Sequence, residues 1–338
     1  MKRLHSIAMA APWMIFCSAG LLHAESPGAQ TGIQVPAIIY TPKNYDEMVA
    51  NIEESGLKVK IDPQLAKFMQ TGGFSWPVNW YKRGNGPTAI TLKDFLNAQT
   101  LDTGLRWELD KSPTVALSPA WRRDDDRSAG ELLKAFRSAY SDLEKVPRKK
   151  DDKYSDEWLA ARKPCGLLLD ALISKKGNYE KGWRTRMLSL HKPENETFMT
   201  NTPDIILSAD FTDTGGKNRV LVLVRHSPGL MPGHGGFSYY YFTPEGALVC
   251  SGLLSCSGGE CVITSASVKN GKEGAPSELA VKVHSVGYSE NLVQKFVMAP
   301  GGLRHTELIR GNGAVVTGNR MKNFPTVESL TGDASLVN

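Results

Sequence analysis

The chain has 338 residues, 41% of them apolar, and a formal charge of +5 from 40 Lys and Arg against 35 Asp and Glu. That apolar share is enough to bury ordinary cores, and a balance so near neutral argues against a dedicated nucleic-acid binder, which concentrates a basic face. After Leu22 no apolar run reaches spanning length, so no integral membrane segment is expected beyond it.

Met1-Lys2-Arg3 is a short basic start, followed by an apolar run from Ile7 to Leu22 and by Leu22-His23-Ala24-Glu25. This reads as a secretory signal peptide, residues 1–24, cut after Ala24. Export exposes the cysteines to an oxidising compartment. Loss of 24 residues from 338 leaves 314, room for about two domains. Lys2 and Arg3 leave with the leader, so the charge falls from +5 to +3. Cys17 follows the bulky Ile15 and Phe16, which suits a discarded leader and not a lipid-attachment site.

Residues 25–43 are mostly small and polar and read as a flexible lead-in. A small α/β module is expected over 44–123. Asn44 opens a helix whose face carries Tyr45, Met48, Val49 and Ile52, with Gly56 as its stop. Leu57-Lys58-Val59-Lys60-Ile61 alternates as a strand does. A second helix runs from Leu92 to about Asp102, with Leu92, Phe95, Leu96 and Leu101 inward and Gly104 at its end. Strands at 105–109 and 114–117 follow, joined by Asp110-Lys111-Ser112-Pro113.

The stretch Thr88-Ala89-Ile90-Thr91-Leu92-Lys93-Asp94-Phe95-Leu96, continued through Leu101-Asp102-Thr103-Gly104-Leu105-Arg106-Trp107 to Val115-Ala116-Leu117-Ser118-Pro119, resembles the short secretin/TonB N-terminal (STN) domain. Gly56-Leu57-Lys58-Val59-Lys60-Ile61-Asp62-Pro63 fits the strand that precedes such units, so the likeness covers about 45–119, roughly a fifth of the chain. It departs from the family at the insertion 68–87, and no secretin pore or outer-membrane barrel follows. The resemblance implies an envelope module that makes protein contacts and has no catalytic residues to carry over. The bland alternative is an unrelated α/β domain with the same element order. The insertion itself holds Phe74, Trp76, Trp80, Tyr81, Lys82 and Arg83 between glycines. Clustered aromatics beside basic groups suit stacking on partner chains or sugars. They also suit covering the module's own core.

Residues 124–195 read as a charged helical segment. Ser128-Ala129-Gly130-Glu131 is a capping box, and Leu132, Leu133, Phe136, Tyr140 and Leu143 then recur at helical spacing up to Pro147. Residues 148–153 form a mixed-charge linker. Helices around 157–162, 166–174 and 179–190 follow.

The region 196–313 changes character, with eight strand-like runs at 205–211, 220–225, 237–242, 247–254, 261–267, 279–285, 292–298 and 303–309. Tight turns separate most of them, which predicts an antiparallel meander closed as a barrel or folded as a sandwich. The fold class is therefore α+β. The tail 314–338 is polar and expected to be loosely held. Within the run Tyr239, Tyr240, Tyr241 and Phe242, alternation sends two side chains inward and two outward. Tyr239 and Tyr241 are thereby candidate binding residues as an exposed tyrosine platform, against the plainer reading of cross-strand packing.

The cysteines after the leader are Cys165, Cys250, Cys256 and Cys261. Gly258-Gly259 suits a two-residue hairpin turn, which would set Cys256 opposite Cys261 at a close, non-hydrogen-bonded pair. That leaves Cys165 to pair with Cys250. The alternative is a metal site, but there is no Cys-x-x-Cys unit. Ser257-Gly258-Gly259 lacks a protease context. His234-Gly235-Gly236-Phe237 lacks the Gly-x-Ser-x-Gly elbow that an esterase would need. His226, His234, His284 and His305 match no metal spacing, and Asp204, Asp210 and Asp213 miss the calcium-loop pattern. Asn195-Glu196-Thr197 is a glycosylation sequon of use only in a eukaryotic host. No motif calls for a cofactor, a metal or a named catalytic residue.

The chain is therefore expected to be an exported, bacterial, periplasmic or extracellular protein without catalytic function. It would contact an envelope protein, or a glycan, through the STN-like module and a disulfide-bearing β domain. The alternatives are a secreted hydrolase or carbohydrate-active protein, with histidines and carboxylates at the β-domain rim, and a lectin-like module using Trp76 and Trp80.

Overall fold

The computed structural model describes residues 34–36, 45–63, 65–66, 89–100, 104–110, 114–147, 149–150, 153–189, 203–226, 236–256, 261–272, 274–285, 290–324 and 327–331. Thr31–Asn338 form one compact unit.

The N-terminal part follows the sequence pattern from Tyr45 onward, whereas the stretch expected as a flexible lead-in contributes a short strand. β1 (Gln34–Pro36) pairs antiparallel with β3 (Ala89–Thr91). α1 (Tyr45–Glu54) ends at Gly56, whose φ of 83° is the left-handed stop that glycine adopts without strain. β2 (Lys58–Ile61) then runs parallel to β5 (Thr114–Pro119), which pairs antiparallel with β4 (Leu105–Leu109). The strand order is β2-β5-β4, so β5 is central. α2 (Leu92–Thr100) is capped by Thr91, whose Oγ1 accepts from the Asp94 amide at 3.1 Å. Met48 and Ile52 of α1 and Leu92, Phe95 and Leu96 of α2 are buried with Leu105, Val115 and Leu117, so the helices cover one face of this sheet.

The helical middle comprises α3 (Ala129–Glu144), α4 (Asp156–Ser174) and α5 (Tyr179–Leu188). The expected capping box is present: Glu131 N donates to Ser128 Oγ, and Ser128 N donates to Glu131 Oε2 at 2.8 Å. Two expected helices, 157–162 and 166–174, are one helix with Pro164 inside it. Pro164 lies on the exposed side, while Trp158, Arg162, Cys165, Leu169 and Leu172 are buried along the other. Continuous packing on that side outweighs the lost backbone bond. The expected linker contains a short ladder, β6 (Lys149–Lys150) with β7 (Lys153–Tyr154).

All eight strands expected in the C-terminal half form: β8 (Asp204–Thr212), β9 (Asn218–His226), β10 (Gly236–Phe242), β11 (Leu248–Cys256), β12 (Cys261–Lys269), β13 (Glu278–Ser285), β14 (Glu290–Ala299) and β15 (Gly302–Ile309). With β16 (Val315–Val316) and β17 (Val327–Thr331) they make an antiparallel meander split between two five-stranded sheets, β17-β11-β10-β9-β8 and β12-β13-β14-β15-β16, and among the described residues no closed barrel forms. The tail contradicts the expectation of loose residues. β16 (Val315–Val316) extends the second sheet, and β17 (Val327–Thr331) returns to pair with β11 in the first.

Two cores result. The first runs from the N-terminal module through the three helices to Val220, Val222, Val224, Tyr240, Phe242 and Leu248 on one face of the first sheet. It crosses the expected boundaries at 123/124 and 195/196 without a break. The second lies between the sheets and includes Leu221, Leu223, Phe237, Tyr239, Tyr241, Val281, Leu292 and Phe296. The layers are therefore helices, first sheet and second sheet.

This layering also corrects the cysteine pairing. Cys165 and Cys250 are both free thiols. Cys165 is buried in the first core, whereas Cys250, opposite Tyr241 in the ladder, packs against the second. Strand parity thus puts the first sheet between them. Nor do β11 and β12 pair with each other among the described residues. Cys256 sits opposite Val327, and Cys261 opposite Ser285. The connection 257–260 and the side chains of Cys256 and Cys261 lie outside the described residues.

Candidate binding face on the N-terminal sheet

Among the described residues, the helices leave the other face of β2-β5-β4 uncovered. Along β5, Val115, Leu117 and Pro119 are buried while Thr114, Ala116 and Ser118 are half-buried. The ladder sets Lys58 beside Thr114, and it sets Lys60 and Glu108 on either side of Ala116. Arg106 lies beside Ser118. Residues directly paired across a ladder point to the same side, so all of these share the uncovered face. Lys60, Glu108, Thr114, Ala116 and Ser118 line a concavity of about 490 Å³, together with Asp62, Asp110 and Arg122 among others.

Its floor is small and its rims are charged. Arg106 Nε donates to Ser118 Oγ at 3.0 Å, and its Nη2 lies 3.5 Å from Glu108 Oε1. Exposed pairs of this kind contribute little to stability, about 0–1 kcal/mol. β4 is fixed from the covered side by Trp107, whose indole N–H donates to Asn97 Oδ1 at 2.9 Å. At the end near Arg122, the guanidinium stacks 4.7 Å from the centre of the Tyr179 ring. Burial pushes the Tyr179 phenol up to about 12, and the nearby Asp62 carboxylate adds to the shift. Its hydroxyl has no hydrogen-bond partner among the described residues.

The residues singled out from sequence are placed elsewhere. Phe74, Trp76, Trp80, Tyr81 and Arg83 lie outside the described residues. Tyr239 and Tyr241 form no exposed platform: they are 0% and 1% exposed. The second sheet covers the face on which outward display was expected. The Tyr241 hydroxyl donates to the Phe211 carbonyl at 3.0 Å, and the two rings meet edge to face at 6.3 Å. Burial pushes the Tyr239 phenol up to about 12.

Histidines and carboxylates are dispersed. His284 Nδ1 lies 3.1 Å from Asn291 Oδ1, and His305 Nε2 lies 3.0 Å from the Glu307 carbonyl while stacking on Phe296. His234 and the His226 side chain lie outside the described residues. Asp204 faces Arg225 at 3.8 Å, Asp210 meets Arg137 at 3.1 Å, and Asp213 accepts from the Gly215 and Lys217 amides inside its own turn. Among the described residues no three His, Cys, Asp or Glu side chains converge as a metal set.

The strongest buried charge pair is internal. Arg186 Nε donates to Asp170 Oδ1 at 2.7 Å between α5 and α4, and its guanidinium sits over Trp121 at 5.7 Å. Burial pushes the Asp170 carboxyl up to about 6, with Arg186 opposing the shift. Asn178 performs a similar internal task. Its Nδ2 donates to the Leu172 and Gly246 carbonyls, each at 2.9 Å, and its Oδ1 accepts from the Leu248 amide at 2.7 Å. Gly246, at φ 83°, lets the turn between β10 and β11 sit on α3, where a Cβ would meet the Ala129 carbonyl oxygen at 2.2 Å. These groups dock the helices on the first sheet and open onto no cavity among those described.

The uncovered sheet face was missed in the sequence reading. Its signal was present in the parity of Lys58-Val59-Lys60-Ile61 and Thr114-Val115-Ala116-Leu117-Ser118, where apolar residues alternate with small or charged ones. No described helix is long and apolar enough to cross a membrane. No protein-family model, curated protein or solved structure matches the chain.

Proposed function

We propose that this is an exported envelope protein that acts by binding another protein, with the uncovered face of β2-β5-β4 as the contact surface. One observation carries the reading. This sheet has helices on one face and an open concavity floored by Thr114, Ala116 and Ser118 on the other. A face that the fold leaves unpaired and shapes into a groove is the place where a partner can be added without disturbing either core. The basic start and apolar run before Ala24 support export. The STN-like reading of 45–119 belongs to the same proposal and is supported by the order α1, β2, β3, α2, β4, β5.

Ala116→Arg tests it by placing a long cation on the groove floor. The wild-type protein captures a specific protein from its envelope extract. The variant melts within about 2 °C of wild type, as a surface change should, and loses that protein. Unchanged capture by a folded Ala116→Arg protein overturns the assignment of the surface.

A further inference from the structure

Three Asn-Gly pairs occur in the chain, at 85–86, 270–271 and 312–313. The first lies outside the described residues. An asparagine followed by glycine is open to internal attack, because no side chain on the next residue keeps its backbone nitrogen away from the asparagine side-chain carbon. The attack needs that nitrogen to give up its proton, so a hydrogen bond that holds the N–H resists it.

Asn270, Gly271, Asn312 and Gly313 are all exposed, so access to water does not separate the two pairs. Their hydrogen bonds do. In the turn after β15, the Gly313 amide donates to the Arg310 carbonyl at 2.9 Å, and Asn312 Oδ1 accepts from the Ala314 amide at 3.0 Å. Both reacting groups of that pair are held. Beyond β12, the Gly271 N–H has no hydrogen-bond partner among the described residues. The Asn270 side chain is met at its oxygen, where the Ser277 hydroxyl donates to Oδ1 at 3.4 Å. Ser277 is fully buried and fixed by its own bonds: its amide donates to the Thr212 carbonyl at 2.8 Å, and its Oγ accepts from the Thr212 amide at 2.9 Å. It therefore presents a positioned donor to the oxygen on which charge gathers during attack. Nor can the loop exchange its glycine, since a Cβ at Gly271 would meet the Ala275 carbonyl oxygen at 2.2 Å. Lys269 and Lys272, both exposed, flank the pair in sequence and favour a carboxylate formed between them.

We infer that Asn270 is a site of self-modification, converting in water to aspartate or isoaspartate ahead of Asn312. The Gly271 nitrogen, its proton passing to hydroxide, bonds to Asn270 Cγ. The Cγ–Nδ2 bond breaks, and Nδ2 takes a proton from water and leaves as ammonia. Water then opens the five-membered succinimide. Opening at Cγ restores the backbone and leaves aspartate; opening at the main-chain carbonyl leaves isoaspartate, with the chain running through Cγ. An amide is exchanged for a carboxylate, and nothing is oxidised or reduced.

The test keeps the full chain folded at about pH 8 for several days and maps both pairs by mass spectrometry. A second sample, unfolded in urea at the same pH, is mapped in parallel. In the folded protein, deamidation at Asn270 runs about tenfold faster than at Asn312, the factor that one further hydrogen bond held in the Asn312 turn allows. In urea the two rates come together as the bonds of the folded state are lost. Equal rates in the folded protein, a faster Asn312, or no product at Asn270 overturns the inference. A preference for Asn270 of the same size in urea also overturns it, since local sequence alone then sets the rate.

Discussion

β5 and β10 are both central strands, yet they meet opposite surroundings. β10 is buried at every residue from Gly236 to Phe242, whereas β5 alternates between half-buried and buried from Thr114 to Pro119. The cause is cover and not composition. The first C-terminal sheet has helices on one face and a second sheet on the other, so Tyr240 and Phe242 enter one core while Phe237, Tyr239 and Tyr241 enter the other. Among the described residues, the N-terminal sheet has helices on one face only. Side-chain alternation therefore reports exposure at β5 and reports two different cores at β10. Only the first kind of strand can offer a surface to a partner.

The sharpest way to break this comparison is to disturb the cover on β10's sheet. Arg186→Met leaves Asp170 buried without its cation, and a broken buried pair costs about 3–5 kcal/mol. Removal of Arg186 also takes away the group that lowers the Asp170 carboxyl. Its folded pKa, already about 6 against an ordinary 3.8, rises further. A folded state that binds a proton more tightly than the unfolded one loses stability as pH rises through that window. Urea denaturation should thus show a larger deficit at pH 8 than at pH 5. Asp170→Leu combined with Arg186→Met should recover most of the loss, since an apolar pair of similar volume leaves no unpaired charge.

A smaller effect with the opposite sign is expected inside the sandwich. Burial holds the His305 imidazole below its ordinary value of 6.5, against the pull of its bond to the Glu307 carbonyl. The unfolded chain then binds the proton more readily, so stability falls as pH drops through 6.5. His305→Phe keeps the stack on Phe296 and removes the titration. Its denaturation midpoint should change less between pH 7 and pH 5 than that of wild type. An identical slope in the two proteins would remove His305 from the account.

The same contrast explains what could be read from the sequence. Strand positions were legible because turn residues punctuate them, and α3 because its capping box and apolar spacing agree. The strands of the N-terminal module were legible from Lys58-Val59-Lys60-Ile61 and Thr114-Val115-Ala116-Leu117, but not which of their faces the helices leave open. What failed depended on contacts distant in the chain. Tyrosine is amphipathic, so Tyr239-Tyr240-Tyr241 reads equally well half-exposed or wholly buried until the covering layers are known. β17 is a short and largely polar segment whose strand exists because the edge of β11 is available to it. Cys165 and Cys250 were paired by elimination, and elimination carries no information about which side of a sheet each thiol occupies. The groove floor was overlooked because small residues carry no chemical signature; their placement on the central strand, between charged neighbours on β2 and β4, gives them their role.

Site-directed photo-crosslinking measures the contact surface directly. A photoreactive residue is placed at Ala116 on the uncovered N-terminal face or at Ala280, which is half-buried in the second C-terminal sheet. After irradiation in intact cells, position 116 is predicted to give a discrete protein adduct and position 280 none. An adduct from 280 with none from 116 would contradict the assignment of binding to the uncovered sheet.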